Sequence, residues 1–508
     1  MRLVEGHNCN VFTTIEEKAS RYSWRSRTAF YVDGQSYSFD DVFSQSRCTA
    51  AKLVQIGVNR NDRVLLELPD SLEFVTSFLG AMYIGATPIP LNPELHPDER
   101  CELIARANAR LLLSLSPPPN ATLPYLHPDD LRDENLASIA PDPEFCSLND
   151  VAYGIFSSGT TGLPKIIYHS NADAVLITSV FGGHLGIGPT DVSCSAARMC
   201  FAAGLGNSLL FPLLRGGAAV LYKDRPSAKN ALADAVYPPT IMYGPPSFYA
   251  QVLDEGLGPC LARLRVGVCG GAVLPLQLEI RLREFLEDRL VNIFGSSEIG
   301  HAMVVNGPGH QALGATGRVL DPYRARVVDA AGSSLPAGCE GRLEINGPTI
   351  AIGVERGSVT PVRISQNDWY ATGDVASIDA DGFVFVSGRV DDIEIVGGQN
   401  VHPAEIESTL LELEDVKEVA VFSSIQPDGR PLLKAAVVPT SNVPNPEVLL
   451  ERIKAHALKK LSWFKVPQAL EIVTHIPLTT FGKVDRKAIK RRERERLSQD
   501  GRSEAHVR

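Results

Sequence analysis

Short apolar runs alternate with amphipathic stretches along much of the chain, and this alternation constrains the fold more than any other feature. Arg63–Leu68 and Leu111–Leu115 predict buried strands, whereas Ser71–Gly85 has apolar residues at helical spacing and predicts a helix between them. Strands that are apolar throughout and separated by helices form parallel or mixed sheets covered on both faces. The sequence therefore predicts an α/β protein.

A second series of strands and helices follows, and the pattern then changes twice. Its strands are predicted at Val192–Ala197, Ala218–Tyr222, Thr240–Tyr243, Leu264–Val268 and Leu290–Ile293. From about Leu313, short β segments separated by Gly and Pro turns predict a small β subdomain. Further on, Gly382–Val386 and Ile393–Val396 predict a hairpin, and the remaining residues predict a compact α+β unit.

These segments predict two domains. A large N-terminal domain, residues 1–390, would contain two α/β sheet subdomains plus the small β subdomain. A small mobile α+β C-terminal domain would follow at residues 391–508. The length agrees with this division, because 508 residues exceed what one hydrophobic core normally supports.

Composition and charge disfavour several classes of function. The net charge of −10 and the pI of about 5.6 argue against nucleic-acid binding, which usually needs a basic face. The first residues lack the apolar core of a signal peptide, and no apolar run reaches membrane-spanning length. The nine cysteines form no Cys-x-x-Cys pair, which indicates reduced thiols. We expect a cytoplasmic protein that binds neither nucleic acid nor membranes.

One loop has the composition of a polyphosphate-binding site. Phe156–Lys165 contains four hydroxyl side chains, two glycines and one lysine. Hydroxyls, free backbone N–H groups and a lysine bind phosphate oxygens, and glycine lets the backbone approach a ligand closely. A surface turn is the alternative, because the same residue types are frequent in turns. The loop lacks the Gly-Lys-Ser/Thr ending of a Walker motif.

Four further segments combine glycine or hydroxyl residues with charged side chains, and each has two interpretations. Gly295–Glu298 ends a predicted strand and either holds Mg²⁺ through its carboxylate or caps a helix. Thr372–Asp374 suits a ribose diol or a self-capped turn. Gly388–Asp392 is either a surface ion pair or a linker that changes conformation. Thr480–Arg486 presents a lysine that is either functional or simply solvated.

The joint occurrence of these motifs in this order resembles the adenylate-forming superfamily, which contains acyl- and aryl-CoA synthetases, peptide-synthetase adenylation domains and luciferases. The resemblance runs from about Thr13 to Lys487 and also includes Gly397–Glu407. The residues Phe201–Asn207 are most similar to those of benzoate- and hydroxybenzoate-CoA ligases. This resemblance implies ATP, Mg²⁺ and CoA as cofactors.

The resemblance implies a nucleotide site assembled from distant segments. The β- and γ-phosphates would bind Ser157, Ser158, Gly159, Thr160, Thr161, Gly162 and Lys165. The adenine and the rest of the nucleotide would contact Gly270, Gly271, Ala272, Asn292, Phe294, Gly295, Ser296 and Val386. The ribose hydroxyls would bind Asp374, with Arg389 beside it.

The resemblance also implies a catalytic set, which consists of Lys483, Glu298, Ser297 and His301. Ser297 would contact the α-phosphate, Glu298 would hold Mg²⁺, and Lys483 would bridge the substrate carboxylate and the α-phosphate. A cation at this position suits the chemistry, because it stabilises charge that develops where two anions meet. Asp391 would be the hinge between the two domains.

The acyl pocket implied by the resemblance is lined by Phe201, Ala202, Ala203, Gly204, Tyr243, Gly244, Phe248, Gly270 and His301. Amino-acid-activating relatives usually carry Asp at the position of Ala203, so an α-amino acid is not expected. Benzoate-type relatives often carry Tyr there, so the methyl group of Ala203 leaves room for a bulkier or substituted acid. His301 is either a wall residue or a direct substrate contact.

Two positions depart from the family pattern. Phe481 stands where relatives usually carry Asn or Thr before Gly-Lys, and this change would alter how the lysine loop is held. Gly353–Glu355 lacks the common Tyr-Trp pair after its glycine. We expect this segment to lie on the β subdomain and to affect packing only.

The resulting hypothesis is an ATP-dependent acid–thiol ligase for an aryl or bulky apolar carboxylic acid. The acid and ATP would give acyl-AMP and pyrophosphate, and the acyl group would then pass to the thiol of CoA. Three alternatives stay open: transfer to the phosphopantetheine of an acyl carrier protein, a luciferase-like oxygenase, and a non-catalytic homologue. A homodimer is one candidate assembly.

Overall fold

The computed structural model describes residues 8–95, 97–118, 123–131, 134–157, 165–233, 235–309, 311–355, 369–390, 394–396, 399–401, 403–425, 431–440, 445–478 and 484–505. Its α-helices are α1 Val11–Arg21, α2 Phe39–Gln55, α3 Leu72–Tyr83, α4 Pro97–Ala107, α5 Asn171–Ile177, α6 Ala202–Leu205, α7 Phe211–Arg215, α8 Pro246–Asp254, α9 Gly258–Leu261, α10 Leu276–Leu286, α11 Pro403–Leu410, α12 Pro446–Lys460 and α13 Arg486–Ala505. Wider π-helical turns lie at Thr178–Gly182, Gly206–Leu210 and Lys229–Ala233. Tighter 3₁₀ turns lie at Pro128–Leu131, Glu134–Ile139, Glu287–Arg289 and Trp463–Lys465.

The strands of the N-terminal part are β1 Thr28–Val32, β2 Gln35–Ser38, β3 Arg63–Glu67, β4 Thr87–Pro90, β5 Leu111–Ser114, β6 Tyr125–Leu126, β7 Val151–Ser157, β8 Lys165–Ser170, β9 Val192–Ser195, β10 Ala218–Leu221, β11 Ile241–Gly244, β12 Val266–Cys269 and β13 Leu290–Gly295. The later strands are β14 Ala302–Asn306, β15 Gly317–Val319, β16 Arg324–Val328, β17 Gly341–Asn346, β18 Gly353–Glu355, β19 Tyr370–Ile378, β20 Phe383–Arg389, β21 Glu394–Val396, β22 Gln399–Val401, β23 Val416–Ile425, β24 Pro431–Pro439 and β25 Ala469–Ile472.

Several helices begin at side chains that satisfy the free N–H groups of a first turn. Ser38 and Asp41 form a reciprocal capping box at α2, and the side chain of Ser71 accepts from the third residue of α3. Each of these helices then buries an apolar face against the first sheet and its neighbours. Local capping and burial therefore act together to place the helices.

The first α/β unit forms a parallel sheet with the strand order β4-β3-β5-β6. Its strands are buried along their whole length at β4 and β5, and at four of the five positions of β3. This agrees with the prediction of buried strands alternating with helices.

The largest sheet has the order β16-β17-β19-β20-β15-β14-β13-β12-β11-β9-β10-β1-β2. Strands β1, β10, β9, β11, β12 and β13 run parallel, whereas pairing is antiparallel from β13 through β14 to β16. The predicted second α/β unit and the predicted β subdomain are therefore joined through the antiparallel pairing of β13 with β14, whose register shifts between Phe294 and Gly295.

A third sheet, with the order β18-β8-β7, corrects the expectation for Gly353–Glu355. This segment pairs with β8, not with the strands of the predicted β subdomain. Glu355 is buried, and its carboxylate accepts two hydrogen bonds from Arg63, with a shortest distance of 2.8 Å, and one from the Tyr168 hydroxyl at 2.9 Å. The segment therefore ties the third sheet to β3 of the first sheet.

The C-terminal part has its own core, formed by β23, β24, β25 and the helices α11 and α12. Helix α13 packs beside them through Ile489, and its Glu493 accepts from buried Lys434 at 2.9 Å. The predicted hairpin of Gly382–Val386 and Ile393–Val396 is wrong, because β20 pairs with β19 and β15, whereas β21 pairs with β22. The α/β class, with a large N-terminal and a small C-terminal domain, is confirmed.

Within the residues that the structure describes, we find no helix with the length and apolar character needed to span a membrane.

Replacing Glu355 with Gln is expected to lower the free energy of unfolding by about 3 kcal/mol, because it removes the buried carboxylate charge that faces the largely buried guanidinium of Arg63. Urea unfolding of the N-terminal part, monitored by tryptophan fluorescence, measures this change in the free energy of unfolding. Glu144→Gln is the matched control, since Glu144 pairs with Arg60 at an exposed position and should cost less than about 1 kcal/mol. Equal effects of the two substitutions would contradict the role assigned to Glu355.

Candidate active site

A buried ion pair joins the phosphate-loop lysine to the acidic residue of a distant motif. Lys165 begins β8, Glu298 follows the end of β13, and Lys165 Nζ lies 2.6 Å from Glu298 Oε1. The two side chains are only 13% and 9% exposed. Burial raises the pKa of Glu298, but the ammonium of Lys165 and nearby hydrogen bonds together hold the pKa below its usual range. Glu298 is therefore an ionised, buried carboxylate.

The hydroxyl of Tyr370, the first residue of β19, also faces this carboxylate. Burial and the negative charge of Glu298 together raise the pKa of Tyr370 well above its usual value. The Glu298 carboxylate thus contacts groups from two separate strands, β8 and β19.

The backbone around Glu298 is held by donors from three different residues. The Ser297 carbonyl lies 2.7 Å from His169 Nε2, the Glu298 carbonyl accepts from the Ala351 N–H at 2.8 Å, and the Ile299 carbonyl accepts from the Thr349 hydroxyl at 2.7 Å. Three successive carbonyl groups are therefore anchored, which restricts the direction of the Glu298 side chain.

Asp374 and Arg389 lie opposite each other on β19 and β20. Arg389 Nη1 is 3.2 Å from Asp374 Oδ2 and donates to the Thr372 carbonyl at 2.9 Å. Asp374 is buried, and its N–H donates to the Thr372 hydroxyl. The expected neighbourhood of Asp374 and Arg389 is present, and the ribose contact stays a prediction.

The carboxyl ends of β11, β12 and β13 lie side by side, because these strands run parallel in register. Glycines there allow close packing: a Cβ on Gly270 would lie 2.4 Å from Ile293 Cγ1, and one on Gly295 would lie 1.9 Å from the His301 carbonyl oxygen. Gly271 has a positive φ of 89°, and both Gly271 and Ala272 are exposed. These residues lie at the carboxyl ends of the three strands, and Ser297 and Glu298 follow directly after β13.

Some of the residues assigned to the nucleotide also have structural contacts. The Asn292 amide donates to the Ala315 carbonyl at 3.3 Å, and the Val386 N–H donates to the Thr316 hydroxyl at 3.0 Å. Both therefore hold the connection that leads into β15. Ser157 and Phe294 are half-buried at the ends of β7 and β13, and Ser296 is half-buried between β13 and Glu298.

The predicted acyl-pocket residues divide into an exposed helix start and a buried wall. Phe201 precedes α6, Ala202 is buried and Ala203 is exposed, while a Cβ on Gly204 would lie 1.9 Å from the Arg198 carbonyl oxygen. Tyr243 and Phe248 are buried in two hydrophobic clusters, and Gly244 accommodates the Phe248 ring, since a Cβ there would lie 2.7 Å from Phe248 Cδ1. Their contact with a substrate stays a prediction.

His301 is enclosed by aromatic rings. Its centroid lies 4.8 Å from that of Phe181 and 4.7 Å from that of Phe211, and its Nε2 is 2.9 Å from Asn207 Oδ1. Burial lowers the pKa of His301 to about 3. The ring is therefore neutral near pH 7, which favours a wall or neutral hydrogen-bonding role over acid catalysis.

Several predicted site residues lie outside the described residues: Ser158, Gly159, Thr160, Thr161, Gly162, Asp391 and Lys483. The residues flanking Lys483 are well anchored. Leu478 and Val484 form a β-bridge, and Arg486 Nη2 donates to both carboxylate oxygens of Glu407, at 2.5 and 2.7 Å. The ends of the lysine loop are thus fixed to the C-terminal core.

Sequence reasoning missed His169, Asp173, Thr349 and Ala351. Ser170 and Asp173 match the capping-box pattern, and this signal predicts the start of α5 directly after His169. The contact between His169 and Ser297 joins residues 128 positions apart, so no local pattern reveals it.

The residues present fit a Mg²⁺ site. Glu298 is ionised and already faces a cation, the ammonium of Lys165. Among the described residues, no group of three or more His, Cys, Asp or Glu side chains is arranged to hold a metal ion. A metal at Glu298 would therefore take its remaining ligands from water and from substrate phosphate oxygens, as Mg²⁺ commonly does.

Comparison with known proteins gives a consistent result along most of the chain. A family model described as AMP-binding enzyme matches residues 15–354, and one described as AMP-binding enzyme C-terminal domain matches residues 405–483. The p-hydroxybenzoic acid–AMP ligase FadD22 of Mycobacterium tuberculosis is 35% identical, over 95% of this chain and 69% of that protein. The benzoate–CoA ligase of Thauera aromatica is 31% identical, over 91% of this chain and 92% of that protein.

Among solved structures, the anthranilate CoA ligase AuaEII in complex with anthranoyl-AMP superimposes with a TM-score of 0.88. Its sequence is 27% identical, and the match covers 95% of this chain and 97% of that one.

Replacing Lys165 with Met is expected to raise the pKa of the Glu298 carboxyl, because the burial remains while the ammonium is lost. With Lys165 present, the lowered pKa stabilises the fold above the ordinary glutamate range, and this stabilisation is lost as the pH falls through the lowered pKa. Titration of ¹³C-labelled glutamate carboxyls measures the shift, with the Glu298 signal assigned by Glu298→Gln. Lys223→Met, which removes an exposed partner of Asp33, should leave that titration unchanged. An unaltered Glu298 titration in Lys165→Met would refute the pairing.

Proposed function

The chain belongs to the AMP-binding enzyme family, and we propose that it activates an aromatic carboxylic acid as its acyl adenylate and then forms the CoA thioester. The observation that carries the proposal is the Lys165–Glu298 pair. It brings the lysine of the phosphate loop within 2.6 Å of the predicted Mg²⁺ ligand, although the two residues are 133 positions apart. The match to the family over both of its parts supports the same conclusion.

In the first step a carboxylate oxygen of the acid attacks the α-phosphorus of ATP. The bond between the α-phosphorus and the bridging oxygen to the β-phosphate breaks, and pyrophosphate leaves with the electron pair. In the second step the thiolate sulfur of CoA attacks the acyl carbon, and AMP leaves. The thiol proton passes to solvent, so the two steps balance.

The residues of this chain would bind and neutralise the reacting anions. Lys165 and Ser157 would contact the β- and γ-phosphates, and Asp374 would hold the ribose. Lys483 would lie between the carboxylate and the α-phosphate, where charge develops in the transition state. Bound at Glu298, Mg²⁺ would supply a further positive charge to the phosphate oxygens. Residues 1–390 would form the domain that binds ATP and the acid, and residues 391–508 the domain that carries Lys483.

An aromatic acid is favoured by the residues of the predicted pocket. Ala203 offers no carboxylate to pair with a substrate ammonium, and the neutral ring of His301 packs between Phe181 and Phe211. Such an apolar, aromatic lining is typical of small-molecule pockets. The ligases named above for p-hydroxybenzoic acid, benzoate and anthranilate provide the candidate acids.

A second candidate acceptor is the phosphopantetheine thiol of an acyl carrier protein. It is favoured by one observation: the relative at 35% identity is named an AMP ligase, not a CoA ligase, and it is longer than this chain. Both acceptors present the same thiol, so the chemistry of the second step is unchanged.

Pyrophosphate exchange with 4-hydroxybenzoate, benzoate and anthranilate tests the first step, with phenylalanine as the amino-acid control. We expect exchange with at least one aromatic acid and none with phenylalanine. Addition of CoA to the reactive acid should then give a thioester. Exchange with phenylalanine alone, or with no acid, would contradict the proposal.

Replacing Lys483 with Ala is expected to slow acyl-adenylate formation by roughly 10²–10³-fold, because one preorganised electrostatic contact is lost from the transition state. Thioester formation from pre-made acyl-AMP should retain most of its rate. Single-turnover measurement of the two half-reactions distinguishes them, and Lys487→Ala is the nearby lysine control. Equal loss in both half-reactions would refute the role of Lys483 in adenylation.

A further inference from the structure

His169 lies beside the backbone carbonyl group of Ser297 and is fully buried. It is the fifth residue of β8, the strand that begins with Lys165. Its Nδ1 lies 3.2 Å from Asp173 Oδ2, its Nε2 lies 2.7 Å from the Ser297 carbonyl oxygen, and its ring stacks on Tyr153 at 5.2 Å. Both ring nitrogens are therefore within hydrogen-bonding distance of an oxygen.

The Ser297 carbonyl oxygen has no hydrogen to offer, and an ionised carboxylate at Asp173 has none either. A backbone carbonyl accepts only, and Asp173 Oδ2 also accepts the Ser170 N–H at 2.9 Å in the capping box of α5. A ring nitrogen without hydrogen would direct its lone pair at the lone pair of such an oxygen. With Asp173 ionised, both contacts are favourable together only when each ring nitrogen carries a hydrogen and donates it.

We propose that His169 is a positioning residue that carries hydrogen on both ring nitrogens and holds Ser297 and Glu298 for the nucleotide. This inference rests on the proposed function for the identity of the ligand. The negative charge of Asp173 balances the doubly protonated ring inside the protein. One N–H is anchored to α5, and the other donates to the Ser297 carbonyl immediately before Glu298.

The turn after Glu298 is shaped to receive this ring. Gly300 has a positive φ of 87°, and a Cβ there would lie 3.3 Å from His169 Cε1. The Gly300 N–H donates to the same Ser297 carbonyl at 3.2 Å. The Ser297 carbonyl therefore accepts from its own turn and from His169. Loss of the ring would release one side of the turn that directs Glu298 toward Lys165.

The ring hydrogens are tested directly on the full chain without any ligand. Histidine labelled with ¹⁵N is observed by correlation through the ring N–H bonds, and the His169 signals are assigned by their loss in His169→Gln. We expect a directly bonded hydrogen on both nitrogens. In Asp173→Asn, which removes the balancing charge, one of the two should disappear while the other histidine signals remain. A single N–H in the unmodified protein would overturn the proposal.

The positioning role is tested by calorimetric binding of Mg²⁺-ATP. His169→Gln should weaken binding by about 10–100-fold, the loss usual when a residue that orients a ligand-binding group is removed. His456→Gln is the matched control, since His456 pairs with Glu412 in the C-terminal part, and it should bind as the unmodified protein does. Unchanged affinity in His169→Gln would overturn the positioning role.

These two readouts require no carboxylic acid, so they remain decisive if the acid panel gives no pyrophosphate exchange. Where exchange occurs, His169→Gln should lower the rate of adenylate formation more than that of thioester formation from pre-made acyl-AMP. Asp173→Asn should show the same direction of change, which separates the positioning role from a folding defect of one variant. Equal slowing of both half-reactions would contradict the proposal.

Discussion

The site depends on one electrostatic constraint, which is the ionised carboxylate of Glu298 in a buried position. A carboxylate removed from water needs a cation or several hydrogen bonds, and here the ammonium of Lys165 supplies the charge at 2.6 Å. The pair can form only if the start of β8 and the end of β13 are adjacent. Because β8 and β13 belong to different sheets, those two sheets must pack against each other in one defined arrangement.

Several long-range contacts maintain that arrangement. Thr349 and Ala351, just before β18, hold the carbonyls of Ile299 and Glu298. Strand β18 pairs with β8, and its Glu355 binds Arg63 of the first sheet. The direction of the Glu298 side chain thus depends on residues from all three N-terminal sheets, and this explains why β18 belongs to the site and not to peripheral packing.

Much of the fold and part of the site could be predicted from the sequence. Alternating apolar runs predicted the strands, because burial on both faces leaves a clear pattern. The motifs assigned Lys165 and Glu298 to the same predicted nucleotide site. The pairing of Gly353–Glu355 was predicted wrongly, since the choice of strand partner is a long-range property. The hairpin near Ile393 failed for the same reason. His169 was missed because its contact with Ser297 joins residues 128 positions apart, which no local pattern reveals.

The antiparallel pairing of β13 with β14 has a further consequence for the chain. The parallel strands on one side and the antiparallel strands on the other are hydrogen-bonded to each other through β13 and β14. Each half therefore ends at a strand whose outer edge is paired only by the other half. Separating them would uncover the paired backbone donors and acceptors of β13 and of β14, and unpaired strand edges attract other strands and promote aggregation. The two regions should therefore melt in a single cooperative event and resist excision as independent modules.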